Sequence, residues 1–220
     1  MTTAPLSHAA LKDKQRRLRD GFPMPLTLRV HRALSWLGRA EREAGDTDTR
    51  FILLWIGFNA AYAGDVGRAV ESERDHFREF FATLLVFDAG RRLYDAIWSR
   101  FPHEIRLLLD NRYVFAPFWQ HHNGVAGAGD WEAKFAVSKR RINTALGQQD
   151  TATVLSILFD RLYMLRNQLV HGGATWNSDV NRAQVRDGAA LLGTLLPVFV
   201  DLMMDHPEHD WPMPHYPVVE

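Results

Sequence analysis

The stretch "DTATVLSILFDRLYMLRNQLVHGG", residues 150–173, decides how this chain reads. Asp150 or Thr151 can cap a helix N-terminus, and Gly172 can end the helix. At about 100° per residue, Leu155, Leu158, Phe159, Leu165 and Leu169 fall within about 60° of Leu162, a stripe that faces a core. Asp160, Met164, Asn167 and His171 step by four, three and four residues along a second stripe on the opposite side. Tyr163, at about 100°, lies between the two, and Arg166, at about 40°, lies on the flank of the core stripe. A solvated face carries mostly Lys, Glu and Arg. A methionine among polar groups points instead to partial burial against another helix or another subunit.

The rest of the chain repeats the helical period. Residues 28–37 keep it and Gly45 stops it; the segment opening at "DTDTR" (46–50) carries Phe51, Leu54, Trp55, Phe58 and Tyr62 at helical spacing and closes on Gly64. Its other face is apolar too, so this helix is expected to be buried nearly all round. Residues 71–101 read as one long helix or as two joined near Gly90. Pro102 suits a first helical turn, and Pro117 is expected to bend or end the segment that follows. "HHNGVAGAGD" (121–130) is a loop, residues 131–147 form an amphipathic helix with a basic surface, and residues 178–206 form a final helix with a kink expected at Pro197. No strand alternation and no solenoid repeat is present. The fold class is therefore all-α, a bundle of about six to eight helices over residues 26–206. A loosely held, basic arm (1–25) is expected before it and a proline-rich surface tail (207–220) after it.

Composition narrows the function classes. The chain has 220 residues, 46% of them hydrophobic, enough for one good core. Lys plus Arg equals Asp plus Glu, 26 each, so any nucleic-acid binding must use a local patch. There is no cysteine, which excludes disulfides and thiolate metal sites. The first residues have no apolar signal core, and "FILLWIGFNAAYAG" (51–64) is too short to span a bilayer and holds Asn59. A soluble, cytoplasmic protein without membrane partner is the expectation. "GVAGAGD" (124–130) lacks the Lys-Ser/Thr of a phosphate loop, and none of the histidines shows metal-ligand spacing with a carboxylate. No metal and no cofactor are expected.

Arg166, Asn167 and, after three further residues, His171 stand near the end of a buried helix. This resembles the signature of the HEPN superfamily of all-helical domains: Arg, four to six residues, then His, often with a polar residue directly after the arginine. A second element, "RFILLWIGFNAAYAG" (50–64), resembles the Phe-Asn-x-x-Tyr helix of the Apea-like HEPN branch through Phe58, Asn59 and Tyr62. The resemblance covers residues 48–205, with inserted helices at 70–145. It implies a metal-independent endoribonuclease site, with RNA as substrate, assembled at the interface of a homodimer. A toxin or defence system is the implied setting, with an antitoxin or other protein partner. Arg166 and His171 would be catalytic, Asn167 would assist, and Asn59, Tyr62, Asp160 and Tyr163 would support them. In the family's toxin branch a modifiable tyrosine follows the histidine by two positions; Gly173 stands there in this chain. Many family members are inactive and serve as RNA-binding or assembly modules.

The side chains suit the implied chemistry. An imidazole such as that of His171 can take a proton from a 2′-hydroxyl or give one to a leaving oxygen. Arg166 offers a permanently charged fork of donors to a phosphorane. Simpler readings exist for each residue. Arg166 can pair with an acid such as Asp160 or Asp88, His171 can stabilise a helix C-terminus, and Asn59 can hydrogen-bond a neighbouring helix backbone.

Overall fold

A computed structural model of the chain describes residues 6–63, 73–214 and 216. Within them the protein is all-helical, with no strand. The helices are α1 (His8–Leu18), α2 (Met24–Glu41), α3 (Thr47–Tyr62), α4 (Glu73–Phe87), α5 (Arg92–Asp95), α6 (Pro102–Leu109), α7 (Ala116–His122), α8 (Trp131–Gly147), α9 (Thr151–Val170) and α10 (Arg182–Asp205). Single turns at Arg19–Gly21, Ala96–Arg100 and Arg112–Val114 link some of them. The ten described helices exceed the expected six to eight. Part of the excess comes from two segments that break: α4 ends at Phe87, and Arg91 adopts a left-handed conformation (φ 54°) before α5. Pro117 begins α7 rather than bending a longer helix. Gly64, expected to close α3, lies outside the described residues.

Helix α3 is the structural axis. It packs on α2 and α10 along its length, and its C-terminal half reaches α4 and α9. The Phe58 ring joins these layers, 4.4 Å from Phe159 on α9, 5.7 Å from Phe77 on α4 and 6.0 Å from Phe199 on α10. Such edge and tilted contacts place ring edges against ring faces, the favoured aromatic geometry. Gly57 and Gly188 allow this closeness. A Cβ at Gly188 would lie 2.8 Å from the Phe51 ring, and one at Gly57 would lie 2.8 Å from Leu196. Helix α10 runs unbroken through Pro197, and its apolar window is 83% buried within the bundle.

The loosely held arm is in fact helix α1 over residues 8–18. Ser7 caps it, Leu11 is 1% exposed, and Lys14 pairs with Asp201 of α10 at 2.6 Å. Most described residues of the tail are exposed or half-buried, and Trp211 and Pro214 anchor it. Trp211 is 4% exposed and donates its indole N–H to the His206 carbonyl. The latch is Arg29 of α2, whose buried guanidinium binds four carbonyls. Nε donates to Pro212 O, Nη1 to Ala61 O at 2.6 Å, and Nη2 to Ala63 O and Met213 O. It thus satisfies an orphan carbonyl at the end of α3, where the helix dipole also favours a cation. Burial pulls the Arg29 pKa down to about 10, so it stays charged at neutral pH.

Candidate functional site

The end of α9 is built by local rules. Asp150 accepts the Thr153 N–H and starts the helix. Leu155, Leu158, Phe159, Leu162 and Leu165 of the predicted core stripe are fully buried, and Leu169, its last residue, is half-buried. The helix stops at His171. The Gly173 N–H donates to Gln168 O at 2.7 Å and the Gly172 N–H to Leu169 O at 3.4 Å. This paired 6→1 and 5→2 pattern closes a helix with a left-handed residue, and Gly172 has φ +72°. A Cβ at Gly173 would lie 3.1 Å from Gln168 O. The "HGG" segment is therefore a helix stop in its own right.

His171 occupies the C-cap with its side chain exposed. Asn167 sits one turn earlier on the same face, half-buried. Arg166 is offset by one residue, but its Nη1 donates to Asn167 Oδ1 at 2.9 Å. That bond draws the guanidinium from the flank of the core toward the stripe that carries His171. The acid pairing considered for Arg166 is not made with Asp88, which instead receives Arg92 and the Leu93 N–H. Asp160 and Met164 are half-buried on the same stripe, two turns and one turn before Asn167.

The other supporting residues lie elsewhere. Tyr163 packs 6.0 Å from Trp55, and Tyr62 stacks 4.5 Å from Phe58, so both rings belong to the aromatic core. Asn59 is on α3. Its amide oxygen is buried without a hydrogen-bond partner, contrary to the satisfied amide expected from sequence, and no bond links it to His171. The structure thus joins Arg166 and Asn167 directly and sets His171 beside them, while Asn59, Tyr62 and Tyr163 pack in the interior.

Several positioning residues escaped sequence reasoning. Gln168 ties the end of α9 to two neighbours, donating to Tyr113 O at 2.5 Å and accepting from Asn181 at 2.9 Å. The loop after His171 is held by the first turn of α3. Buried Asp48 accepts both Arg182 guanidinium nitrogens at 3.1 Å and the Asn177 N–H at 2.7 Å. Asp46 accepts the Thr49 N–H and the Trp176 indole N–H, and these bonds, led by the one from Thr49, hold its pKa below the usual carboxylate value. Sequence reading could not reveal these bonds of Asp46 and Asp48, because the partners lie 129–134 positions away in the chain. Val170, Trp176 and Val180 remain exposed around this turn. Among the described residues, no group of three or more His, Asp or Glu is placed to hold a metal ion.

Compared with protein-family models, with curated proteins and with solved structures, the chain matches none of them.

Proposed function

We propose that this protein is a metal-independent endoribonuclease of HEPN type, with Arg166 and His171 as catalytic residues and Asn167 orienting the arginine. The observation that carries the reading is the Arg166–Asn167 hydrogen bond beside an exposed His171 at the end of an otherwise buried helix. It presents a fixed cation and an imidazole on one accessible edge. Cleavage then needs two proton transfers and charge stabilisation. One His171 removes the 2′-hydroxyl proton, the oxygen attacks the adjacent phosphorus, and an acid protonates the departing 5′-oxygen. Arg166 stabilises the charge on the phosphorane oxygens. One chain supplies a single copy of the motif. A homodimer with α9 facing its mate supplies a second histidine as the acid and a second arginine, which offsets the neutral net charge locally. A toxin or defence setting, in the cytoplasm, accords with that activity.

The second reading is a non-catalytic module that binds RNA or a protein partner through the same edge. The exposed Val170, Trp176 and Val180 favour it, because apolar side chains grouped beside a polar edge suit protein docking. The two readings separate in one experiment. Purified wild type and Arg166→Ala are given RNA in EDTA, and binding and cleavage are scored together. The nuclease reading expects cleavage by wild type that Arg166→Ala loses. RNA retention without any product in the wild type supports the module.

A further inference from the structure

Helices α1 and α2 enclose a groove of about 410 Å³ that shares no residue with the α9 edge. Its walls are two short helical stripes. His8 and Lys12, one turn apart on α1, face His31, Ser35, Arg39 and Arg42, which recur along one side of α2. The geometry is fixed at one crossing point. The His8 backbone N–H donates to Glu41 Oε1 at 2.7 Å, and the His8 ring lies against Gly38, where any Cβ would fall 2.8 Å from it. Gly38 is thus what lets α1 approach α2 closely enough to form the groove.

The charge balance inside is lopsided in a chain whose total is neutral. Three fixed cations and two imidazoles line the space. The neighbouring acids are already committed: Glu41 to the His8 N–H, Glu43 to Arg39, and Asp13 to Arg16. Lys12 donates to a neutral amide oxygen, that of Gln15 at 2.6 Å. Among the described residues, no carboxylate lies within ion-pair distance of Lys12 or Arg42. Guanidinium forks and an ammonium converging with a hydroxyl are the donor set that recognises phosphate oxygens. The volume falls within the range of small-ligand sites, about 300–1,000 Å³.

We propose that this groove is an anion site for a compact di- or triphosphate, free or carried by a nucleoside. Arg42 and Lys12 bind the phosphate oxygens, Ser35 adds a hydroxyl, and the histidine rings wall the space. A long nucleic acid fits less well. The cationic stripes run only from His31 to Arg42, about 16 Å at 1.5 Å per residue, and are bordered by Asp13, Glu41 and Glu43.

Isothermal titration calorimetry of the full chain at low ionic strength tests this, with tripolyphosphate, ATP and a short single-stranded RNA as separate probes. Tripolyphosphate is expected to bind once per chain. Arg42→Gln and Lys12→Gln should each weaken it by about tenfold, the loss of one charge-assisted contact. Arg17→Gln, which removes an exposed α1 charge outside the groove, should leave the affinity unchanged. Tighter binding of ATP than of tripolyphosphate assigns a nucleoside carrier, and equal binding assigns the phosphates alone. Unchanged circular dichroism in the variants shows that they fold. The proposal is overturned if tripolyphosphate and ATP fail to bind, if only RNA binds, or if Arg17→Gln weakens binding as much as Arg42→Gln.

Discussion

Replacing Arg29 with methionine isolates the latch between the two ends of the fold. The arginine makes four hydrogen bonds from a side chain that is 1% exposed. At the low end of the range for bonds to a charged group, about 1.5 kcal/mol each, the four contribute about 6 kcal/mol. Against this stands the cost of keeping a guanidinium charged in the interior. The fall in pKa to about 10 from the ordinary arginine value corresponds to about 3 kcal/mol at 1.36 kcal/mol per unit. Methionine removes that cost and fills similar volume, so the net loss is about 3 kcal/mol. For a chain of this size that lowers Tm by about 6–12 °C, at roughly 2–4 °C per kcal/mol. Differential scanning calorimetry reads the shift, and limited proteolysis within residues 207–214 reads release of the tail. Arg29→Lys should be worse than Arg29→Met, because a single ammonium keeps the desolvation cost without reaching both Ala61 and Pro212. The folded pKa lies below the unfolded one, so the unfolded chain binds more protons between about pH 10 and 12.5, and wild-type stability gains from this group only in that window. Between pH 6 and 9 the gap between wild type and Arg29→Met is therefore flat. A lysine variant as stable as the methionine variant, or a gap that changes steeply across pH 6–9, would refute the fork geometry as the cause.

Other outcomes follow from the same contacts. Gly172→Ala forces an L side chain into φ +72° and should cost about 1–2 kcal/mol in a urea titration, with the amides of residues 168–173 exchanging faster. Asp48→Ala strands Arg182 and frees the Asn177 N–H; a loss of about 2–4 kcal/mol is expected from the charge-assisted bonds, and unaltered stability would show that the α3 latch is dispensable. The Asp46 pKa is lowered in the folded protein, so its stabilising effect is present above the ordinary carboxylate range and fades as pH falls through the folded value. The Trp176 indole N–H resonance should shift only at that acid end, and a shift near neutrality would contradict the assignment.

What sequence made legible was local. The α9 limits follow from Asp150 and Gly172, whose partners lie within five residues. The core stripe follows from leucine spacing alone. The helix within the arm and the anchoring of the tail were not legible, because both come from distant contacts. Arg29 reaches Pro212 across 183 positions, and Lys14 reaches Asp201 across 187. Helix α1 has few apolar residues, so its pattern resembles a solvated segment until Asp201 is in place. At the candidate site, sequence identified Arg166, Asn167 and His171, which are neighbours on one helix. It could not separate them from Tyr62 and Tyr163, since an aromatic ring in the core and one lining a cleft share the same spacing. Gln168 was passed over because its partners, Tyr113 and Asn181, come from other elements.

The central claim rests on His171, and the most direct measurement is the single-turnover rate of RNA cleavage in EDTA by wild type and by His171→Ala. The account predicts that wild type cleaves to products ending in a 2′,3′-cyclic phosphate. His171→Ala should fall by about 10²–10⁴-fold, the usual worth of a positioned acid or base. Equal rates for the two proteins, or no cleavage by the wild type at any pH between 5 and 9, would contradict it.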